Sequence, residues 1–340
     1  MIAFRADGSN IIGAGHIMRC LTIADAFDDK KDICFITCNE DSVSLINERG
    51  YEAYCLAAYS GKDVMKAPIN EELSELKDLI GKLGIRFLMV DSYRVTDEYL
   101  KELKTVTNTG YIDDMTDKHI SADLVLNYNL FADDKKQKDL ADASAKVLCG
   151  ADFVPIRKEF SETAYEVREE VKNVLILTGG GDALGLGDKF AKFLGNDDSG
   201  ITYHIVGPFY KEGSSDEANA ENIVRLAGVK DIWNLMKTCD VAITAGGSTV
   251  YELMCMGVPA IGYIFADNQK PLADYIDKNK IFPSCGDYRV KKEELFNSIK
   301  KELENLCDVN VRKSISKKEK ALITGSGAKR VKEEIEKCIF

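Results

Sequence analysis

Short apolar and β-branched runs alternate along this chain with amphipathic helical patterns, and the alternation occurs in two separate series. An order of strand, helix and strand is typical of a parallel sheet covered by helices. The length of 340 residues also exceeds the roughly 250–300 residues at which a single core stops growing. The pattern therefore predicts an α/β fold of two doubly wound domains. Ligands of such sheets bind beyond the carboxyl ends of the strands, so we expect the site in a cleft between the domains.

The two series give the expected elements and the domain boundaries. The first predicts strands at 2–5, 33–38, 86–90, 110–112 and 124–126, with helices at 16–27, 42–49, 71–83 and 97–103. The second predicts strands at 171–177, 203–206, 223–226, 241–243 and 260–262, with helices at 188–194, 231–238, 249–256 and 269–278. Residues 156–170 read as a charged helical connector. We expect domains at 1–160 and 161–322, and a C-terminal helix in 323–340 that packs back on the first domain.

Composition excludes several classes of protein. With 45% hydrophobic and 30% charged residues the chain is globular rather than disordered. The net charge of −11 argues against nucleic-acid partners and stable membrane association. The ten cysteines form no CxxC pair, and there are three histidines, so we expect no metal site and no cofactor. Without a signal peptide or a long apolar run, we expect a cytoplasmic protein with reduced thiols; the oligomeric state stays open.

A glycine-rich turn follows the first predicted strand and precedes the first predicted helix. Gly8, Gly13 and Gly15 lead into His16, where free helix N–H groups favour an anion. A dinucleotide fingerprint would require a glycine at Met18, and the GK[ST] of a P-loop is absent. The loop therefore favours a phosphate-bearing or sugar ligand over NAD or ATP.

His16 is the strongest candidate for chemistry. A helix N-terminus disfavours its protonated form, so a neutral imidazole could take a proton from water or a hydroxyl; the alternative is a histidine that only caps the helix. Asp91 and Tyr93 follow one strand, and Asp113 and Asp114 follow a later one, at the edge where ligands bind. Each such carboxylate could instead simply close a turn.

Two further glycine-rich turns open helices in the second series. They contain Gly179, Gly180, Gly181 and Asp182 in the first, and Gly247, Ser248 and Thr249 in the second. Thr249 and Glu252 have the spacing of a capping box, which needs no ligand. The glycines before them indicate backbone contact with an anion. Asn268 and Gln269 open the next helix with hydrogen-bonding side chains.

Taken together, these motifs resemble the UDP-sugar hydrolases of pseudaminic acid biosynthesis. The resemblance rests on RADGS at 5–9, IGAGH at 12–16, VDSY at 90–93, IDDM at 112–115, LVLNYN at 124–129, CGADFVPIRKEF at 149–160, GGGD at 179–182, AGGSTVYELMCMGVPAI at 245–261, DNQ at 267–269 and GSGAKRV at 325–331. It implies the GT-B fold, with an architecture similar to that of the glycosyltransferase MurG. It also implies a small-molecule UDP-sugar substrate, from which water releases UDP and a free 2,4-diacetamido-2,4,6-trideoxy sugar.

The resemblance assigns roles to individual residues. His16 would activate water, and Tyr93 and Asn127 would place water or sugar beside it. The substrate-binding set is Asp7, Gly13, Gly15, Arg19, Asp91, Asp113, Asn268 and Gln269. The UDP-binding set is Gly179, Gly180, Gly181, Asp182, Gly247, Ser248, Thr249 and Glu252, with Glu252 on the ribose hydroxyls.

Other functions fit the same motifs. A GT-B glycosyltransferase would use an alcohol acceptor instead of water, for example in surface or spore-coat polysaccharide synthesis. A nucleotide-sugar-binding protein without catalysis would need the glycine loops and Glu252 but not His16. A non-hydrolysing epimerase of similar fold is a third alternative.

Overall fold

The chain forms two compact units, which are described one at a time. The computed structural model describes residues 1–8, 15–59, 68–179, 182, 184–207 and 220–339. The first unit comprises Met1–Ile156 and Ser326–Phe340, and the second comprises Arg157–Gly325. The divisions thus fall after 156 and 325, where the sequence suggested 160 and 322.

The first unit is built on a parallel sheet of seven described strands in the order β3-β2-β1-β4-β5-β6-β7. The strands are β1 Ile2–Ala6, β2 Ile33–Thr37, β3 Glu52–Cys55, β4 Phe87–Asp91, β5 Asn108–Ile112, β6 Leu124–Asn127 and β7 Lys146–Cys149. Its helices are α1 Gly15–Ala24, α2 Glu40–Glu48, α3 Leu73–Leu83, α4 Asp97–Lys104, α5 Asp134–Leu140 and α14 Gly327–Ile339. The sequence patterns missed β3 and β7 because both are edge strands with half-exposed side chains, which give no apolar run.

The second unit repeats the doubly wound topology with six described parallel strands in the order β10-β9-β8-β11-β12-β13. They are β8 Asn173–Leu177, β9 Thr202–Gly207, β10 Ile223–Ala227, β11 Val241–Ala245, β12 Ala260–Ile264 and β13 Ser284–Asp287. The helices are α6 Lys158–Ser161, α7 Leu186–Leu194, α8 Ile232–Thr238, α9 Thr249–Met256, α10 Lys270–Lys278, α11 Tyr288–Lys291, α12 Glu294–Asn305 and α13 Val309–Leu322. Strand β13 was not predicted, again because it is a short edge strand.

The expectation that residues 156–170 form a charged helix is wrong. Only α6 is helical, and the remainder runs without regular structure. Phe160 and Tyr165 are buried, and the Tyr165 hydroxyl donates to the carbonyl of Asp240 at 3.3 Å. The spacing of these two buried aromatic residues does not match a helical repeat, so their tertiary packing outweighs the helix-forming composition of the segment.

The topology places the candidate residues at the switch point of the first sheet. Strands β1 and β4 are neighbours, and all residues of both are buried. The chain continues from β1 to β2 on one side and from β4 to β5 on the other. Because the two connections run in opposite directions, a crevice forms beyond the carboxyl ends of β1 and β4. Among the described residues, no helix has the length and apolar character needed to cross a membrane.

The glycine turn before α14 is required by close packing within the first unit. A Cβ at Gly327 would overlap the carbonyl oxygen of Val154, whereas a Cβ at Gly81 of α3 would meet no atom within 4 Å. Two hydrogen bonds also hold helix α14 in place. Lys332 Nζ donates to Asp28 at 2.7 Å, and Asn108 Nδ2 donates to the carbonyl of Cys338 at 2.7 Å. The glycine therefore sets how closely the helix approaches the backbone.

We predict that Gly327→Ala lowers the free energy of unfolding by about 1–3 kcal/mol, because the added methyl overpacks against fixed backbone. The matched control is Gly81→Ala, an exposed helical position where alanine should be neutral or stabilising by up to about 1 kcal/mol. Urea unfolding followed by circular dichroism measures both. Equal stability of the two variants would contradict the packing argument.

Candidate active site

The side chains of His16 and Asp91 form a buried hydrogen-bonded pair. His16 is the second residue of α1, Asp91 is the last residue of β4, and His16 Nδ1 lies 2.6 Å from Asp91 Oδ1. Burial raises the pKa of Asp91, but the charge and hydrogen bonds of Arg19, together with His16, outweigh it and lower the pKa to about 2. The ionised carboxylate can only accept, so in the neutral ring it favours the tautomer with the proton on Nδ1 and a lone pair on Nε2. This pairing does not fit a histidine that merely caps a helix.

Arg19 connects this pair to a second carboxylate. It lies one turn after His16 on the same face of α1. Its Nε and Nη2 donate to the two oxygens of Asp91 at 2.5 Å each, and Nη1 donates to Asp114 Oδ2 at 2.5 Å and to the Tyr128 hydroxyl at 2.9 Å. The sequence assigned Arg19 to substrate, but the structure commits its guanidinium to protein groups.

Tyr93 lies beside the imidazole with its ring half exposed. The two rings meet edge to face with centroids 4.7 Å apart, and the Tyr93 hydroxyl is 3.4 Å from Asp114 Oδ2. Burial and the neighbouring Asp114 charge raise the pKa of Tyr93 to about 12. The Tyr93 hydroxyl is therefore a protonated donor at neutral pH, and it belongs to the ring beside the His16 imidazole, whose Nε2 is the candidate base.

Asp7 follows β1 and is held by a buried ionic cluster. Its Oδ1 accepts from the amide of Cys38 at 2.8 Å and lies 2.8 Å from Arg5 Nη1. Arg5 also donates twice to Glu72, at 2.7 Å each. Burial raises the pKa of Asp7, but the Arg5 charge outweighs this and lowers it, so Asp7 is ionised. Asp7 Oδ2 lies 3.6 Å from Arg94 Nη2.

Asp113 and Asn127 close turns in this structure. Asp113 accepts from the amides of Met115 and Thr116 at 3.1 and 3.0 Å and from Gln137 Nε2 at 2.6 Å. Asn127 Nδ2 donates to Thr116 Oγ1 and Gln137 Oε1 at 3.0 Å each. Both residues are almost fully buried. The carboxylate that reaches Arg19 is that of the adjacent Asp114, to which the resemblance assigned no role.

The glycines of the first loop are only partly described. Gly15 begins α1, and a Cβ there would meet no described atom within 4 Å. Gly13, Gly180 and Gly181 lie outside the described residues. Their predicted contacts with substrate and UDP stay predictions.

In the second unit, helix α9 begins beyond the end of β11 without a side-chain cap. The predicted capping box is wrong: Ser248, not Thr249, precedes the helix, and its side chain makes no capping bond. Glu252 instead accepts from Arg157 Nη2 and Nε at 2.8 and 3.1 Å, both on Oε1. Among described acceptors, none contacts the amides of Ser248 or Thr249. The Gly247 amide donates to the Ala245 carbonyl at 2.8 Å, so the free backbone donors at this helix N-terminus are the amides of Ser248 and Thr249.

Glu252 and Arg157 form a half-buried pair. The side chains are 18% and 16% exposed. Burial raises the pKa of Glu252, and the Arg157 charge offsets part of that rise. Arg157 also lies over the Phe160 ring, 4.5 Å from its centroid. Both hydrogen bonds from Arg157 end on Oε1 of Glu252, so Oε2 can accept from a hydroxyl of a ligand.

The remaining predicted residues shape the neighbouring loops. Gln269 Oε1 accepts from the amides of Phe265 and Ala266 at 2.8 and 3.3 Å, and a Cβ at Gly246 would lie 3.1 Å from Gln269 Cβ. Asn268 is exposed. Gln269 thus closes the turn after β12 against Gly246.

Asp182 and Gly179 lie in the turn between β8 and α7. Asp182 accepts from the amides of Leu186 and Gly187 at 2.7 and 3.0 Å, so it caps α7. Gly179 has a φ of +85°, and a Cβ there would lie 3.3 Å from the Phe265 ring. A glycine is needed at this position for its backbone conformation.

Three residues of these clusters escaped the sequence reasoning: Glu72, Arg157 and Arg5. Arg157 and Arg5 lie inside quoted motifs, so a signal existed for them. Glu72 carries no local pattern, since its partner is 67 positions away in the chain.

The comparisons with known proteins support the resemblance drawn from the motifs. No family model matches the chain. The chain is 28% identical over 280 residues to the UDP-2,4-diacetamido-2,4,6-trideoxy-beta-L-altropyranose hydrolase of Campylobacter jejuni, covering 82% of this chain and 96% of that protein. It is 25% identical over 270 residues to the spore coat polysaccharide biosynthesis protein SpsG of Bacillus subtilis, covering 75% of each.

A further relative is longer than this chain. A Helicobacter pylori protein, named as pseudaminic acid cytidylyltransferase and UDP-2,4-diacetamido-2,4,6-trideoxy-beta-L-altropyranose hydrolase, is 26% identical over 303 residues. The match covers 86% of this chain but 48% of the relative, so the chain spans about half of that protein. The similarity to this group of proteins is confirmed.

Solved structures confirm the fold. MurG of Acinetobacter baumannii superposes with a TM-score of 0.68 at 14% identity, covering 99% of this chain and 100% of that one. A spinosyn rhamnosyltransferase, SpnG, complexed with thymidine diphosphate gives a TM-score of 0.67 at 16% identity, covering 98% and 100%. The predicted GT-B fold of two Rossmann-like α/β domains is therefore correct.

We predict that Asp91→Asn lowers the free energy of unfolding near pH 7 and that its difference from the native protein shrinks as the pH falls from about 4 to about 2. A carboxyl whose folded pKa lies below its unfolded value stabilises the protein above the unfolded pKa, and this contribution is lost as the pH falls through the folded value. Urea titrations at several pH values measure it. Asp117→Asn, at an exposed turn carboxylate, is the control. A pH-independent difference would contradict the assignment.

Proposed function

We propose that this protein is a UDP-sugar hydrolase acting on UDP-2,4-diacetamido-2,4,6-trideoxy-β-L-altropyranose or a close relative. The observation that carries the proposal is the His16–Asp91 pair, in which the carboxylate holds the Nδ1 proton and leaves Nε2 as a base. The Campylobacter and Helicobacter relatives, named for this hydrolysis, support the same reaction. The pair lies at the carboxyl end of the sheet, where doubly wound folds bind ligands.

The proposed reaction uses a water molecule as nucleophile. His16 Nε2 takes one proton from the water as its oxygen bonds to the anomeric carbon. The bond from that carbon to the phosphate oxygen breaks, and UDP leaves with the electron pair. Asp91 keeps the imidazole oriented and stabilises the imidazolium that forms, as a carboxylate does in other His–Asp pairs. Tyr93 lies edge-on to the His16 ring and could help place water or sugar, as could Asp7 at the end of β1.

The second unit supplies the features expected of a UDP site. The amides of Ser248 and Thr249 at the start of α9 suit a pyrophosphate, because a helix N-terminus carries unpaired donors and a positive dipole end. Glu252 Oε2 suits a ribose hydroxyl. Stabilising the leaving diphosphate in this way would lower the barrier to bond cleavage.

We expect the purified protein to release UDP and free sugar from the UDP-diacetamido sugar without any acceptor. In ¹⁸O-labelled water the label should enter the sugar hydroxyl and not the UDP phosphate, because water attacks carbon. Coupled UDP detection and mass spectrometry measure the two outcomes. UDP release that appears only after an alcohol acceptor is added would make the protein a glycosyltransferase. Binding without release under either condition would make it a nucleotide-sugar-binding protein.

Two variants should separate chemistry from nucleotide binding. His16→Ala should lower turnover by roughly 100- to 10,000-fold while the Kd for UDP stays within about twofold, since a general base contributes that much to the rate. Glu252→Gln should weaken UDP binding and leave a measurable turnover at saturating substrate. Steady-state kinetics and calorimetry measure these effects.

The matched control for the first variant is His119→Ala, since His119 is exposed and pairs with Asp97 away from the His16 cluster. It should keep full turnover. Unchanged turnover in His16→Ala would remove His16 from the mechanism.

A further inference from the structure

Four of the five N–H groups of the Arg19 guanidinium point at oxygen acceptors of the protein, and the fifth faces the His16 ring. Nε and one hydrogen of Nη2 go to Asp91, and the two hydrogens of Nη1 go to Asp114 and the Tyr128 hydroxyl. The second hydrogen of Nη2 faces His16 Nδ1 at 3.0 Å. Arginine has five donors, of which four are committed to protein oxygens while the fifth lies against the imidazole. The residue acts within the protein.

Two hydrogen bonds compete for the same nitrogen of His16. If Nδ1 carries the proton it donates to Asp91 Oδ1 at 2.6 Å; if Nδ1 is bare it accepts from Arg19 Nη2 at 3.0 Å. These alternatives are the two tautomers of the neutral ring, and only the first leaves a lone pair on Nε2. The ionised Asp91 favours the first. The direction in which Arg19 points its Nη2 hydrogens decides how strongly the second competes.

Asp114 is the second charged group, after Asp91, that fixes this direction. It contacts Nη1, on the far side of the guanidinium from His16, with a side chain only 15% exposed. A planar guanidinium held on both of its outer edges cannot turn about its stem. Without the Asp114 contact, Nη1 would keep the neutral Tyr128 hydroxyl as its partner, and the guanidinium could turn toward Nδ1.

We propose that Asp114 is a positioning residue that, through Arg19, keeps His16 in the tautomer protonated at Nδ1 and so keeps Nε2 available as a base. The same carboxylate lies 3.4 Å from the Tyr93 hydroxyl, so one group orients both the arginine behind the imidazole and the ring edge-on to it. The catalytic consequence rests on the proposed hydrolysis, whereas the tautomer itself is a property of the free protein.

The tautomer can be read directly by long-range ¹H–¹⁵N correlation spectra of protein labelled in histidine, recorded well above the ordinary histidine titration range. His16 is assigned by comparison with His119→Gln and His204→Gln. In the native protein Nδ1 should resonate as a protonated nitrogen and Nε2 as a bare one. In Asp114→Asn both should move toward intermediate positions, which indicates tautomer exchange. A native His16 protonated at Nε2, or an unchanged pattern in Asp114→Asn, would overturn the proposal.

Two further variants keep the test decisive. Tyr128→Phe removes the other Nη1 partner without changing charge, and it should shift the same nitrogens in the same direction by a smaller amount. It also serves if Asp114→Asn does not fold. Asp117→Asn removes an exposed carboxylate from the same turn and should leave the pattern unchanged. An equal shift in Asp117→Asn would reduce the effect to net charge and overturn the specific role.

Steady-state kinetics of the Asp114→Asn variant provide a second test of the proposal. Asp114→Asn should lower kcat roughly ten- to hundredfold with KM within about twofold, the behaviour of a residue that orients a catalytic group. A raised KM at unchanged kcat would make Asp114 a substrate contact instead. If the native protein does not hydrolyse the UDP-sugar, the proposed function fails, but the spectra still decide the role of Asp114.

Discussion

The buried carboxylate of Asp91 is the group on which the first unit's candidate site depends. A charge in the core is costly unless it is paired and hydrogen-bonded, and here Arg19 and His16 occupy its two oxygens. Removing one partner would leave the other buried and uncompensated. The same pairing that makes the charge tolerable also fixes the imidazole, so stability and orientation have one physical cause.

At the carboxyl end of each strand that flanks the switch point of the first sheet, an arginine neutralises a buried carboxylate. Beyond β1, Asp7 is neutralised by Arg5, which in turn holds Glu72 within fully buried surroundings. Beyond β4, Asp91 is neutralised by Arg19. Each carboxylate is therefore ionised and rigidly held at the edge where ligands bind. In the second unit the candidate ligand contacts are of two kinds. The start of α9 presents backbone amides, and Glu252 lies beside them in a half-buried pair with Arg157.

Much of the fold could be predicted because it follows from local patterns. Central strands such as β4 and β11 are continuous apolar runs, and α9 was predicted with its observed bounds. The edge strands β3, β7 and β13 have no such runs, so their pairing could not be read from composition. The prediction of a helix at 156–170 failed for a related reason, because tertiary packing of Phe160 and Tyr165, rather than a helical repeat, fixes this segment.

The prediction of two α/β domains, the prediction of glycine turns and the selection of His16 each rest on residues that lie close together in the chain. The identity of the carboxylates that surround His16, by contrast, depends on long-range contacts in the folded protein. Asp91 and Asp114 lie 72 and 95 positions from Arg19, and the choice of Asp114 over Asp113 depends on which of two adjacent side chains turns inward to Gln137. Such pairings come from the order of strands in the sheet, which no local pattern specifies.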